Sequence, residues 1–279
     1  MRLAMLTRLG AGILFALWTG FAADQSVTVA PELNGAWNRP EGPWNGRSVL
    51  LFHGFAQDRD EVGFLFKQLA ERLSKEGAAS LRINFRGEGD RNRTNIESTF
   101  NTRLEDAASA YGFLLRQSGV KKDRVGAVGF SLGASTAIEI GGRHPEWFRT
   151  MALWSSPSGD AFQSFADTDY AKAALRDGVG RQEVPGWKTI ITHREFYESF
   201  RGINLDQSIA RYPGAVLSIR GSEDLLPRRD AELLNHAPGR PREAVVLGGA
   251  DHIFKVFQPD LGFGQRVLDL TSAWLQRTL

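Results

Sequence analysis

The stretch that decides the fold of this chain is RVGAVGFSLGASTAIEI at residues 124–140, with GFSLG at positions 129–133 in its centre. A β-branched run at 125–130 precedes Ser131, and a run of small residues with helical character follows it. The pattern therefore predicts a tight turn between a strand and a helix. The flanking glycines would let the helix lie close to the strand while the serine adopts an unusual backbone conformation. Such a turn can expose a nucleophile, although an ordinary turn with Ser131 as the helix N-cap gives the same five residues.

The length of the chain, 279 residues with 42% hydrophobic and 24% charged residues, is sufficient for the full core of one α/β domain. Patterns typical of strands and helices alternate along it, and no shift in composition indicates a second domain. Strands are predicted at 27–29, 33–38, 48–54, 79–85, 125–130, 150–155, 215–220 and 244–247, and the longer helices at 58–76, 102–118 and 261–279. We expect the first two strands to form an antiparallel hairpin and the others a parallel, doubly wound sheet.

The first 22 residues differ from the rest of the chain. Arg2 and Arg8 precede an apolar run at 9–21, and small residues come directly before Ala23. This pattern predicts a secretory signal peptide over residues 1–22 and a mature domain over 23–279. A membrane anchor is the alternative, but the run is shorter than the roughly 20 residues that a spanning helix needs. We therefore expect a bacterial protein that is exported to the periplasm or secreted, with no stable membrane anchor after cleavage.

Charge and cysteine content exclude several function classes. Cleavage after residue 22 lowers the formal net charge from +2 to zero, because two of the 34 Lys and Arg residues are removed and all 32 Asp and Glu residues stay. A mature chain without excess positive charge does not predict a nucleic-acid partner. The chain has no cysteine, which excludes a thiol nucleophile, a thiolate metal site and disulfides. No cofactor and no metal are predicted.

Residues 157–208 show no strand pattern, and aromatic side chains are scattered among short pieces with helical character. The segment is too long for a plain loop. We predict that it forms a small helical lid over the carboxyl edge of the sheet, where open α/β sheets bind ligands. These residues are called the lid segment below.

If Ser131 is a nucleophile, it needs a base to accept its proton, and histidine is the expected base. In folds with this type of turn the order along the chain is Ser, then Asp or Glu, then His, which excludes His53 and His144 and leaves three of the five histidines. His193 lies in the lid segment and His236 in a proline-flanked surface stretch, whereas His252 directly follows a predicted strand. We therefore assign His252 as the base.

An acid must orient the base and stabilise its protonated form. The loop after the strand at 215–220 contains two carboxylates, Glu223 and Asp224. Asp224 is the preferred candidate and Glu223 the near alternative, whereas Asp251 is too close to His252 in sequence. The serine, the acid and the histidine then each follow a separate predicted strand, in the required order.

Acyl transfer also requires hydrogen-bond donors for the developing oxyanion. The backbone N–H of Leu132 lies in the turn itself. The second donor is expected in the loop after the strand that ends in His53-Gly54-Phe55, and the N–H of Phe55 is the best candidate. His53 is expected to support this loop without taking part in proton transfer.

Together these motifs resemble the bacterial cinnamoyl or feruloyl esterase group of serine α/β-hydrolases. The similarity covers nearly all of the mature chain and rests on His53-Gly-Phe, Asn84-Phe-Arg-Gly-Glu-Gly, Gly129-Phe-Ser-Leu-Gly, Arg194-Glu-Phe-Tyr-Glu-Ser-Phe, the loop from Gly221 to Pro227, and Gly249-Ala-Asp-His. The resemblance implies the α/β-hydrolase fold with about eight strands, a Ser131, Asp224 and His252 triad, and an esterase with a small lid. One motif departs from the group: its usual Gly-His-Gly-x-Ser is Gly-Glu-Gly-Asp-Arg at 87–91.

The leading hypothesis is an exported serine esterase that acts on a small-molecule ester through an acyl-enzyme. The same groups could act on a thioester, an amide or a peptide, because the triad determines the reaction class and not the leaving group. A binding protein without activity on a hydrolase scaffold is a third alternative. The arginines at 82, 86, 91 and 93 are expected to form surface ion pairs and not a substrate site.

Overall fold

The computed structural model describes residues 24–40 and 42–279. The predicted signal peptide, residues 1–22, lies outside the described residues. Among the helices that the structure describes, none combines the length and the apolar character needed to cross a membrane.

Ten strands and nine α-helices are found in the described residues. The strands are β1 (Gln25–Ala30), β2 (Leu33–Asn38), β3 (Ser48–Phe52), β4 (Ala79–Ile83), β5 (Val125–Phe130), β6 (Thr150–Trp154), β7 (Val179–Glu183), β8 (Thr189–His193), β9 (Ala215–Glu223) and β10 (Arg242–Asp251). The helices are α1 (Leu65–Lys75), α2 (Phe100–Leu115), α3 (Leu132–Arg143), α4 (Ala161–Ala166), α5 (Asp169–Asp177), α6 (Arg194–Glu198), α7 (Leu205–Ile209), α8 (Asp230–His236) and α9 (Phe263–Thr278).

Eight of the strands form one sheet in the order β1-β2-β4-β3-β5-β6-β9-β10. β1 and β2 are an antiparallel hairpin, and β2 also runs antiparallel to β4. The remaining neighbours are parallel. The predicted mostly parallel sheet of about eight strands is therefore confirmed. Its carboxyl edge brings together the loops that follow β3, β5, β9 and β10.

The central strands are buried on both faces, as expected for a parallel sheet between two helical layers. In β5 the side chains of Val125 and Ala127 pack in the core formed with α2 and α3. Val128 and Phe130 point the other way, into the core formed with α1 and α9. Apolar residues on both faces explain why this strand reads as a continuous hydrophobic run.

The lid segment contains an element that sequence patterns did not predict. β7 and β8 pair as an antiparallel hairpin, so the expectation that 157–208 lacks strands is wrong. β7 has little apolar alternation because most of its side chains are at least partly exposed. The turn between the strands, at Pro185-Gly186, and the alternating burial of β8 are the signals that indicate the hairpin.

Several boundaries also differ from the prediction. The first long helix begins at Leu65 instead of residue 58, because a 3₁₀ turn at Val62–Phe64 and positive φ angles at Glu61 and Phe64 interrupt the helical backbone before it. β9 and β10 extend beyond the predicted ends at 220 and 247, and α8 was not predicted.

Candidate active site

Ser131 lies between β5 and α3 with φ 52° and ψ −116°, a strained conformation for a residue with a side chain. Its N–H donates to the carbonyl oxygen of Trp154 at 2.8 Å. The turn is possible because a Cβ at Gly133 would lie 1.8 Å from the carbonyl oxygen of Phe52, and one at Gly129 would lie 2.3 Å from the carbonyl oxygen of Gly133. The two glycines are therefore required by the close approach of helix and strand.

His252 and Asp224 lie beside Ser131 at the carboxyl edge of the sheet. Nε2 of His252 is 3.1 Å from Oγ of Ser131, and Nδ1 of His252 is 2.7 Å from Oδ1 of Asp224. β9 and β10 are parallel neighbours, so the loops that follow them leave the sheet side by side. The structure thus brings together three residues that are far apart in sequence.

The surroundings of Asp224 favour its ionised form. Burial raises the pKa of Asp224, but the hydrogen bond from His252, the charge of His252, the Leu226 N–H and the Arg220 guanidinium outweigh it and hold the pKa below its usual value. The Leu226 N–H donates to Oδ1 at 2.9 Å, and Nη1 of Arg220 donates to Oδ2 at 3.0 Å. A carboxylate here accepts a hydrogen bond from Nδ1–H of His252, which leaves Nε2 free to accept the proton of Ser131.

Glu223, the alternative acid, points to a different place. Its side chain is 57% exposed and pairs with Nζ of Lys255 at 2.9 Å. Asp224 has no exposed side-chain area and contacts His252 directly. The geometry therefore favours Asp224.

Two backbone N–H groups near Ser131 are the candidate oxyanion donors. Leu132 is the first residue of α3, and its N–H has no acceptor within the helix. Phe55 follows β3 and lines the same cavity as Ser131. Within the part of the chain that the structure describes, neither N–H donates a hydrogen bond to another protein atom.

A cavity of about 310 Å³ opens from Ser131 and His252. The lid segment supplies about half of its wall. The large apolar and aromatic side chains around it are Phe55, Val62, Phe130, Phe165, Tyr170, Val184, Trp187, Ile190, Phe196, Tyr197, Leu225, Leu226 and Ile253. Among the described residues that line it, none is Asp, Glu, Lys or Arg. The cavity therefore suits an uncharged, apolar group next to the serine hydroxyl.

Comparisons with known proteins bear on the fold that carries this site. A model of the family described as serine aminopeptidase, S33, matches residues 45–176. Est1E from Butyrivibrio proteoclasticus with bound ferulic acid superposes with a TM-score of 0.69 at 15% identity, covering 86% of this chain and 94% of that one. The chain has the α/β-hydrolase fold.

Two further proteins extend the comparison. The esterase domain of a Rhodothermus marinus protein has a TM-score of 0.61 at 21% identity, covering 88% of this chain and 92% of that domain. An uncharacterized Mycobacterium tuberculosis protein, Rv2307c, is 28% identical over 246 residues, which are 88% of this chain and 75% of that protein. At these identities the solved structures are informative about the fold alone.

The lid segment is joined to the loop before α2. Ile191 of β8 forms a parallel bridge with Asn95, and its N–H donates to the Thr94 carbonyl oxygen at 2.8 Å. Nζ of Lys188 donates to the carbonyl oxygens of Ala56 at 3.0 Å, Arg91 at 2.8 Å and Arg93 at 2.9 Å. One lysine therefore connects the hairpin to the loop that carries Phe55.

Some charged residues around the site were not identified by sequence reasoning. Arg220 on β9 is buried and contacts Asp224 and Asp230. Arg103 on α2 is fully buried and pairs with Glu88. The sequence feature that indicates such residues is a charged side chain within an apolar pattern. Arg220 ends a hydrophobic strand run, and Arg103 shares the helix face of Phe100.

The arginines at 82, 86, 91 and 93 form ion pairs, as expected, with acidic partners at Asp24, Asp60, Asp106, Asp58 and Glu97. Arg82 differs from the expectation because it is buried and not at the surface. Within residues 24–40 and 42–279, no group of three or more His, Asp or Glu side chains is arranged to hold a metal ion.

Proposed function

We propose that the chain is an exported serine hydrolase that cleaves carboxylic esters through an acyl-enzyme formed on Ser131. The observation that supports this most is the chain of hydrogen bonds from Ser131 through His252 to the buried Asp224, at the mouth of an apolar cavity. The order and the distances agree with the requirements for a serine nucleophile and its base.

In the proposed reaction, Oγ of Ser131 attacks the ester carbonyl carbon while Nε2 of His252 takes the hydroxyl proton. Asp224 holds the ring and stabilises its positive charge. The N–H groups of Phe55 and Leu132 donate to the oxyanion of the tetrahedral intermediate. When the intermediate collapses, His252 gives the proton to the leaving alcohol. Water then attacks the acyl-enzyme, with His252 again as the base, and the acid product leaves.

The cavity supports a small, uncharged acyl group that is apolar or aromatic. Its volume of about 310 Å³ is at the lower end of ligand pockets, and its wall is mostly apolar. The ferulic acid bound to Est1E, which has the same fold, is an aromatic acid of this kind. A short-chain or aromatic acyl ester is therefore the proposed substrate class.

A second candidate is a peptide or aminoacyl amide, which the description of the matching family favours. An aminopeptidase must hold a free α-ammonium group, and a buried ammonium needs a carboxylate or several acceptors nearby. The described residues that line the cavity include no Asp and no Glu. An ester with a neutral acyl group fits this wall better.

The test compares purified protein on 4-nitrophenyl esters, a hydroxycinnamoyl ester and aminoacyl arylamides, with a fluorophosphonate as an active-site label. We expect ester turnover, labelling of the wild type, and loss of both in Ser131→Ala. Ser118→Ala, an exposed serine, is the control and should behave as the wild type. Labelling that survives in Ser131→Ala would overturn the assignment, and turnover of the arylamides alone would favour the peptide candidate.

Export is part of the proposal and rests on the charged start, the apolar run at 9–21 and the small residues before Ala23. When the full gene product is expressed in a bacterial host, mass spectrometry of the exported fraction should find a mature N-terminus near Ala23. An intact Met1 in the active protein would reject cleavage.

A further inference from the structure

The loop that carries Phe55 is fixed by buried ionisable side chains on both sides of it. The carbonyl oxygen of His53 accepts a hydrogen bond from Nη2 of Arg103 at 2.5 Å, and the Gly54 N–H donates to Oε2 of Glu61 at 2.6 Å. Both contacts hold the peptide between His53 and Gly54. The side chains of Glu61 and Arg103 have no exposed area.

The peptide that follows Phe55 is held in the same way. The Ala56 N–H donates to Oε2 of Glu88 at 3.1 Å, and Oε1 of Glu88 accepts from Ser98 Oγ at 3.0 Å. Oε1 also pairs with Arg103, whose guanidinium lies 3.8 Å from the centroid of the Phe85 ring. Glu88 and Arg103 therefore connect the two ends of the short loop through one buried ion pair.

The middle peptide, between Gly54 and Phe55, is oriented by a neutral histidine. Nε2 of His53 accepts a hydrogen bond from the Phe85 N–H at 3.1 Å, so the ring proton is on Nδ1, which donates to the Gly54 carbonyl oxygen at 2.7 Å. Burial, together with the charge of Arg103, lowers the pKa of His53 to about 4, which keeps the ring neutral.

This contact determines where the Phe55 N–H points. In a trans peptide the C=O and the N–H point in opposite directions. Because the Gly54 C=O is directed at the buried His53 ring, the Phe55 N–H is directed away from it. Phe55 lines the cavity beside Ser131, and its N–H has no acceptor among the described residues.

The buried ion pair between Glu88 and Arg103 is not explained by stability alone, since a buried pair is often no more stabilising than apolar residues of the same volume. Its value is in positioning. An oxyanion donor must be held in place before the reaction, because reorganisation during the reaction would raise the barrier.

We propose that His53, Glu61, Glu88 and Arg103 are positioning residues that hold the Gly54–Phe55 peptide so that the Phe55 N–H forms part of the oxyanion hole. The inference rests on the proposed function, because it concerns the transition state of that reaction. Glu88 stands where the Gly-His-Gly-x-Ser motif of the resembling group has its histidine.

The test uses Arg103→Lys, which keeps the charge opposite Glu88 but cannot reach both Glu88 and the His53 carbonyl oxygen. His53→Phe is the second variant, since it keeps an aromatic ring of similar size but loses the hydrogen bonds to the Gly54 carbonyl oxygen and from the Phe85 N–H. Arg82→Lys is the matched control: Arg82 is also buried and ion-paired, but its partners are Asp24 and Asp60.

For an ester substrate we expect kcat to fall about tenfold or more in both variants while KM changes by less than about twofold. Loss of one oxyanion donor costs about 10²–10³ in kcat, and a displaced donor should cost less. The affinity for an arylboronic acid, which forms a tetrahedral anion on the serine, should fall by the same factor as kcat. The control should keep the wild-type kcat and boronate affinity.

All assays are made below the melting temperature of each variant, with folding checked by circular dichroism. If either folded variant keeps normal kcat and boronate affinity, the positioning role is wrong. If wild-type protein neither hydrolyses esters nor is labelled at Ser131, the proposed function itself fails, which is a separate result.

Discussion

The carboxyl edge of the sheet and the lid segment meet at one cavity but are built differently. At the sheet edge Ser131 and Asp224 directly follow strands and His252 follows the last residue of β10, so the backbone of the sheet sets their positions. In the lid segment the cavity wall consists of side chains from short helices and one hairpin. We therefore expect the sheet to determine the proposed reaction and the lid segment to determine the choice of substrate.

The two regions also differ in how they are held. Buried ionisable side chains such as Glu61, Glu88 and Arg103 fix the loops at the sheet edge. The hairpin of the lid segment is connected to the rest of the chain by a short parallel bridge between Ile191 and Asn95. The Lys188 ammonium adds hydrogen bonds to the neighbouring loops. Changes at the sheet edge should alter the rate of the chemistry, whereas changes in the lid segment should alter binding.

The largest effect is expected from Asp224→Asn. The amide keeps the shape of the side chain but favours the wrong tautomer of His252, and the corresponding change in a serine protease costs about 10⁴ in kcat. We expect a loss of about this size with KM little changed. The measurement is steady-state kinetics, with folding checked by circular dichroism.

Glu223→Gln is the control, because Glu223 is mostly exposed and pairs with Lys255. It should change kcat by less than about twofold. If Asp224→Asn has a nearly normal kcat and Glu223→Gln is inactive, the acid is Glu223 and the assignment of Asp224 is wrong.

The difference between the two regions also explains what sequence reasoning could predict. Ser131 and His252 lie beside local patterns, a strand followed by glycine-rich turns, so their places at the sheet edge follow from the strand predictions. The contact of Glu88 with Arg103 is a tertiary contact, and neither residue lies in a motif that indicates it. The hydrogen bond of Lys188 to the Ala56 carbonyl oxygen joins residues 132 apart.

The lid segment was the least predictable part for a physical reason. Its elements are short, and their packing partners are distant in sequence, so local periodicity carries little information about them. β7 is mostly exposed and has no alternating apolar face. Its pairing depends on β8, whose Ile190 packs in a small core with Ala56 and Ile96.

The second prediction concerns Glu61, a buried carboxyl group at the sheet edge. Burial raises the pKa of Glu61 to about 7, despite its hydrogen bonds from the Gly54 and Val62 N–H groups. Between about pH 4.5 and pH 7 the folded protein therefore holds a proton that the unfolded chain releases. The contribution of Glu61 to the free energy of unfolding falls as pH rises through this window, by an amount on the order of 3 kcal/mol.

Glu61→Gln removes this titration. Its free energy of unfolding relative to the wild type should increase between pH 4.5 and pH 7.5, which urea unfolding at several pH values measures. His53, with its lowered pKa, changes in the opposite direction with pH in both proteins and cancels in the difference. Glu195→Gln, at an exposed glutamate of the lid segment, is the control and should parallel the wild type. A difference between Glu61→Gln and the wild type that does not vary with pH would contradict the prediction.

The smallest effect is expected in the lid segment, from Lys188→Met. The substitution keeps an apolar stem of similar length but removes the three hydrogen bonds from Nζ to the carbonyl oxygens of Ala56, Arg91 and Arg93. The donor of these bonds is partly buried. Its desolvation lowers the pKa of Lys188. Since the hairpin carries Trp187 and Ile190 of the cavity wall, its looser attachment should weaken binding.

We expect Lys188→Met to lower kcat/KM about tenfold, mostly through KM, which corresponds to about 1.4 kcal/mol of binding free energy. Hydrogen exchange should become faster in β7 and β8 and stay unchanged in β5. Lys172→Met is the control in the same segment, because Lys172 and its partner Asp167 are both mostly exposed and such a pair contributes little. If Lys188→Met lowers kcat instead and leaves KM and hydrogen exchange in the hairpin unchanged, Lys188 acts through the Ala56 carbonyl oxygen on the loop that carries Phe55. The division between a chemical edge and a binding segment would then be wrong at this residue.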